Sequence, residues 1–301
     1  SDLANLAGGT MRGVQLAGIS NISGNNTVGL SAAGLVNITG DRTQGVIISG
    51  LTSIGGDNTS GLMISGFMNV TGNMASGLHF SGAANITGQS FGGLMASGLL
   101  NVVGEHMNGL QMAGIANITA SKLNGVQIAL CNYATQARGL QIGLVNYYKE
   151  DMKGFQLGLV NANPDTRVQM MVYGGNATPA NIGVRFKNQL FYTILGIGSM
   201  YQGLNDKFSA SASYRAGLSF TLYKGLSISG DLGYQHIEAF DNKDEVIPKR
   251  LYALQARANL EYQFTRKFGI FATGGYGLTR FYNKSSNYDK GAIIEAGIVL
   301  F

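Results

Sequence analysis

Glycine recurs at positions 13, 29, 45, 61, 77, 93, 109 and 125, a spacing of sixteen residues held seven times in succession. Every interval repeats one kind of phrase, from GVQLAGISNISG at 13–24 through GLMISGFMNVTG at 61–72 to GLQMAGIANITA at 109–120. Such a period has to be explained before any local feature, because each unit can bury its apolar side only against the next one. Sixteen residues are too few for two packed helices, and fixed interior glycines disfavour helix by about 1 kcal/mol each. The segments between them are short, apolar and β-permissive. A β-solenoid fits, with one coil per unit, coils about 4.8 Å apart, and glycine at corners that need positive φ. Eight coils at that spacing make a rod on the order of 40 Å long. Residues 3–8, LANLAG, align with ISNISG one period later, so further coils are expected before Ser1.

Asn21, Asn37, Asn69, Asn85, Asn101 and Asn117 share one column of the stack. Stacked identical amides bond to the coils above and below, so the column reads first as an asparagine ladder. A repeated N-x-[ST] glycosylation signal or a ligand-ordering array is the alternative. Two places after the repeating glycine the end units carry Gln15, Ser31, Gln111 and Gln127, whereas the middle ones carry Ile47, Met63, His79 and Met95. A second column holds Val36, Met68 and Leu100. A solvated face should not be that apolar. These seven residues therefore define a candidate docking face for a protein partner, a lipid surface or another part of the chain; the alternative is that they point inward.

After Gly125 the repeat drifts. GLQIGLVNYY begins at Gly139 and GFQLGLVNAN at Gly154, and Asn163-Pro164-Asp165 ends the pattern, placing a domain boundary at 163/164. From Arg167 the period becomes two. In 209–222 the even positions carry Ala210, Tyr214, Leu218 and Phe220 against Ser211, Ser213, Arg215 and Ser219; the stretch 251–264 alternates in the same way. Eight strands of this kind span roughly 167–301, longer than the five or six residues of an ordinary strand and suited to a tilted bilayer crossing. Their connections alternate between tight turns (KNQ, YKG, TRK) and longer polar loops (QGLNDK, DNKDEVIPKR, NKSSNYD). Short turns facing the periplasm and long loops outside are the habit of outer-membrane barrels. Taking the phrases at 139–162 as another strand pair would give ten strands instead of eight.

The terminal GAIIEAGIVLF, closing on the aromatic Phe301, resembles the assembly signal of Gram-negative outer-membrane barrels. With the alternating strands before it, 167–301 is similar to the small OmpA-type eight-stranded barrels. The phrases GLQIGLVN and GFQLGLVN resemble surface-repeat proteins of Bacteroidota and Leptospira. The barrel resemblance implies a bacterial outer-membrane location and a lumen lined by the polar strand faces. Arg185, Lys187, Arg215, Asp231, Arg257 and Glu261 would meet there as a network of opposite charges. An eight-stranded interior is just wide enough to be filled by side chains, so a plug of ion pairs is expected in place of an open pore. Tyr201, Tyr223, Tyr262 and Tyr282 are candidates for an interfacial belt, since the chain has no Trp.

Chemistry-bearing groups are sparse. Only 12% of the 301 residues are charged, and the net charge of +5 is scattered, so no basic stripe indicates nucleic acid. The single cysteine, Cys131, excludes a disulfide framework and reads as packing. His79, His106 and His236 have no metal-ligand spacing, and no convergent acid–base set is visible. No apolar run is long enough for a transmembrane helix, which leaves a barrel open. The sequence thus implies an all-β chain: an N-terminal β-solenoid of 16-residue coils (1–163), then an eight-stranded antiparallel transmembrane β-barrel (164–301). Its expected role is non-enzymatic, with no cofactor, metal, nucleic acid or small-molecule substrate. The barrel would anchor it in the outer membrane, and a periplasmic solenoid would dock a protein partner. The alternative is a surface adhesin recognising glycan or host protein.

Overall fold

The structure is a computed structural model that describes residues 3–199, 201, 208–240, 250–282 and 287–300, and it is all β. It divides into two compact units, residues 1–158 and 159–301. The division falls five residues before the expected 163/164 boundary.

The first unit is a stack of parallel coils. Each has a long strand, such as Thr59–Ser65, and a short one, such as Met68–Thr71. Like residues pair with like in adjacent coils: Gly77 sits between Gly61 and Gly93, and Asn85 between Asn69 and Asn101. Numbering each coil from its repeating glycine, position 1 has positive φ in ten successive coils, from Gly13 through Gly125 to Gly139 and Gly154. The coil pattern therefore continues through the two drifted phrases. The column admits nothing larger than glycine. At Gly29, with φ +123°, a Cβ would lie 2.1 Å from the Gly13 carbonyl oxygen.

The interior is unusually polar for a core. Position 9 is the asparagine ladder: Asn69 donates to Asn85 at 2.8 Å, Asn85 to Asn101 at 2.9 Å, and Asn101 to Asn117 at 3.0 Å. Each amide also reaches a backbone carbonyl of the next coil, as Asn85 does to Ala96 O at 2.8 Å. At Ser53, where the ladder lacks Asn, the hydroxyls of Ser49 and Ser65 bond to it instead. A second ladder, of glutamines, runs from Gln156 to Gln141, Gln127 and Gln111 at 2.8–2.9 Å. The coil core also holds an apolar cluster around Phe91, Met95, Met107 and Leu123. Stacked amides bond to one another and to backbone carbonyls, which is what makes a polar core tolerable, although Gln15 Oε1 and Gln111 Nε2 find no partner among the described residues.

The second unit is a closed barrel of eight antiparallel strands. In chain order they are β1 (Arg167–Gly175), β2 (Ala180–Asn188), β3 (Phe191–Ser199), β4 (Ser209–Tyr223), β5 (Leu226–Ala239), β6 (Arg250–Thr265), β7 (Phe268–Phe281) and β8 (Asn287–Leu300). Strand β8 closes on β1, pairing Val299 with Met171. The tight turns β2–β3, β4–β5 and β6–β7 share the end at which β1 starts and β8 finishes, as an even strand count requires. The long loops expected at the other end fall mostly outside the described residues, as does Phe301. Residues 159–162 lie along the outer wall: Thr193 Oγ1 donates to Leu159 O at 3.0 Å, and Thr193, although outward in register, is fully covered.

Candidate functional site: barrel lumen and coil faces

Alternation in the barrel carries odd-numbered residues of β4 and β6 inward and leaves Leu218, Leu254 and Leu260 outside. All six charged residues selected from the sequence lie on inward positions. Arg185 and Glu261 pair through two bonds of 2.5 and 2.9 Å, and Arg185 Nε donates to Gln169 Oε1 at 2.6 Å. Arg215 holds Asp231 through two bonds of 2.8 and 2.7 Å, while Tyr192 and Asn259 donate to the same carboxylate at 2.7 and 2.8 Å. Arg257 contacts Glu295 through Nε and Nη2, each at 3.2 Å. Glu295 Oε2 also stands 3.5 Å from Arg215 Nη1. Lys187, half-buried nearer the turn end, donates to Ser219 at 2.9 Å.

Three arginines thus meet three carboxylates across the bore, each fork satisfied largely by charge-assisted bonds. Sequence reasoning missed Glu295, whose strand is apolar on both faces. Its solitude within 291–300, where no other charge occurs, was a signal of position but not of direction. Tyr192 and Asn259 carried no signal, because a neutral polar residue on the inward face is unremarkable until its partner is seen.

Outside, the barrel carries aromatic groups at two heights. Tyr262, Phe264 and Phe268 pack together near the tight turns, with centroids 4.9 and 5.8 Å apart. Tyr252 packs on Tyr282 and Tyr234 toward the other end, at 5.1 and 6.2 Å. Between the two groups β6 shows only Leu254, Ala256, Ala258 and Leu260 outward. Ten residues of strand at about 3.3 Å each, tilted by roughly 45°, separate the groups by about 23 Å of height, close to the ~25 Å apolar band of outer-membrane barrels. Tyr201 is not a belt residue; it is buried, and its hydroxyl bonds to Thr279 at 2.7 Å.

In the coil stack the docking columns require correction. Ile47, Met63, His79 and Met95 point into the core and are 0–2% exposed. Alternation runs unbroken through the long strand, with Thr59, Met63 and Ser65 all buried, so position 3 is inward and positions 2 and 4 are outward. Val36, Met68 and Leu100, at position 8, do stand on the outer side, half-buried beside their neighbours. The apolar outer surface exists, but on other columns: Ile48, Ile64 and Met112 at position 4, and Leu51, Phe67 and Leu99 at position 7, are 36–54% exposed. Cys131 is exposed on the position 8 column and so is not a packing residue.

His79 packs edge-on against Phe91, with ring centroids 4.9 Å apart, and its Nε2 has no hydrogen-bond partner among the described residues. Burial depresses its pKa to about 4. The unfolded chain then binds more protons between about pH 6.5 and 4. The resulting contribution to stability is complete above pH 6.5 and lost as pH falls through this window, on the order of 3 kcal/mol in total. His79→Met, matching Met63 and Met95 in register, is expected to remove this component of the acid sensitivity. Denaturation midpoints from pH 7 to 4.5 check it; equal slopes for both proteins would reject the assignment.

No protein-family model matches the chain, and no curated protein matches it. Among solved structures, the N-terminal β-barrel domain of Pseudomonas aeruginosa OprF is 16% identical with a TM-score of 0.30, the match covering 44% of this chain and 93% of that one. Neisserial surface protein A is 9% identical with a TM-score of 0.29, over 44% of this chain and 92% of that one.

Proposed function

We propose that this chain is a non-enzymatic structural protein of the bacterial outer membrane, in which the barrel is a sealed anchor and the coil stack a rigid scaffold for a protein assembly. The observation that carries the reading is the barrel's division of polarity: paired arginines and carboxylates inside, an apolar band between two aromatic girdles outside. A lumen spanned by Arg185–Glu261, Arg215–Asp231 and Arg257–Glu295 serves an anchor better than a conduit. Short turns mark the periplasmic end, and β1 starts there, so the coil stack belongs on the periplasmic side. Protease added to intact cells is expected to leave residues 1–158 uncut; their removal would support a surface adhesin instead. Extraction of the full-length protein in mild detergent is expected to retain stoichiometric outer-membrane partners, identified by mass spectrometry. Recovery of a lone, heat-modifiable barrel would reject the scaffold role.

A further inference from the structure

The coil stack has the polarity of a membrane protein. Its core holds asparagine and glutamine ladders, while its outer columns hold leucine, isoleucine, valine and phenylalanine. From position 1 to the end of the short strand, none of the ten coils carries Lys, Arg, Asp or Glu. Every such residue between 11 and 153, including Arg12, Asp41, Arg42, Asp57, Glu105 and Lys122, falls within the five residues just before the next repeating glycine. Each coil therefore has one polar edge, and the opposite edge is the corner at position 7. Leu35, Leu51, Phe67, Leu99 and Ile115, with Leu144 one place earlier in its shortened coil, form that corner and are 43–54% exposed. Both strands flanking the corner also turn apolar side chains outward, such as Ile64 on the long strand and Ile54 on the short one.

We propose that the coil stack lies edge-on in one leaflet of a lipid bilayer, with the position 7 corner deepest in the hydrocarbon and the charged turn edge among the headgroups. This rests on the reading of the chain as a membrane protein and names the medium that covers its scaffold. Two observations favour lipid over a protein partner. First, the apolar surface covers two faces and the corner between them. About five residues of each strand, or roughly 17 Å, separate the corner from the polar edge, and stacked sheets are about 10 Å apart, so ten coils present roughly 2,000 Å². That exceeds both the few hundred Å² of an ordinary exposed patch and the ~800 Å² that each partner buries in a standard interface. A single protein would have to wrap three sides of the rod, whereas hydrocarbon does so by default. The 17 Å depth also matches half of a ~30 Å hydrocarbon core.

Second, backbone groups at the corner are already paired along the stack, which lipid requires and water does not. Leu51 N donates to Leu35 O at 2.9 Å, Phe67 N to Leu51 O at 2.8 Å, and Leu99 N to Ala83 O at 3.0 Å.

The test uses the full-length protein in vesicles of phosphatidylethanolamine and phosphatidylglycerol. In a Cys131→Ser background, single cysteines replace Leu51 or Phe67 at the corner, Ser76 on the polar edge, and Leu260 on the barrel band, and each is labelled with bimane. Acyl-chain doxyl lipid is expected to quench the corner and Leu260 labels at least threefold more than the Ser76 label, with iodide giving the reverse order. Corner labels quenched by iodide as strongly as Ser76 would overturn the inference, since the corner would face water. Corner labels protected from both quenchers would overturn it too, in favour of a second copy or another protein. In either case, a Leu260 label still quenched by lipid leaves the anchor reading standing; failure at Leu260 as well brings down both.

Discussion

Arg215→Met is expected to destabilise the barrel by about 3–5 kcal/mol, because it leaves the buried Asp231 carboxylate with two neutral donors and no countercharge. The side chain is 1% exposed, it makes both charged bonds to Asp231, and it stands against Glu295. Methionine keeps much of the volume, so the loss reports charge and hydrogen bonding more than a cavity. Pairing it with Asp231→Leu should recover a large part of the loss, since removing both members of a buried ion pair costs far less than removing one. Urea midpoints of the barrel in detergent micelles, read by heat-modifiable migration, measure both effects. Lys187→Met serves as contrast: that side chain is half-buried and bonds to a hydroxyl, so its change should stay within about 1 kcal/mol. If Arg215→Met cost no more than Lys187→Met, the ion-pair plug would not be what sets barrel stability.

The second large effect belongs to adjacent glycines in FGGL, residues 91–94. Gly93 has φ +128°, and a Cβ there would stand 2.2 Å from the Gly77 carbonyl oxygen; around Gly92 no atom lies within 4 Å of a Cβ. Gly93→Ala should therefore cost at least about 3 kcal/mol, the left-handed strain alone accounting for 1–3. Gly92→Ala should stay within about 1 kcal/mol. Because each coil contacts only its neighbours, the damage should be local. Hydrogen exchange is expected to rise in the coils containing Gly77, Gly93 and Gly109 while distant coils keep their protection. Equal behaviour of the two alanine variants would show that the position 1 column tolerates side chains, contrary to the close approach of the coils.

Much of the architecture was legible because both units are periodic. A sixteen-residue glycine spacing has few physical realisations, and coils in like-on-like register follow from it. The period-2 strands and their alternating turn lengths led to eight strands and to the side of the barrel on which Arg185, Arg215, Arg257, Asp231 and Glu261 lie. Where one face of a strand is polar and the other apolar, direction can be read from composition. It could not be read at Glu295, whose strand is apolar on both faces, or at position 3 of the coil.

Thus the sequence by itself determined the repeat, the two-part division and most of the lumen charges, since these depend on period and local polarity, while the choice of eight over ten barrel strands came from the closure of the sheet. Only the tertiary structure decided which side chains of a coil face inward. Positions 2, 3 and 4 are all apolar in the middle coils, and neither Met63 nor Ile64 reveals from its chemistry alone which of them is inside. The stacking of the coils decided that amides line the interior, because their partners lie in the next coil, another amide at 2.8–3.0 Å or, for Asn37, the Ser49 hydroxyl, an alignment that a single coil cannot supply.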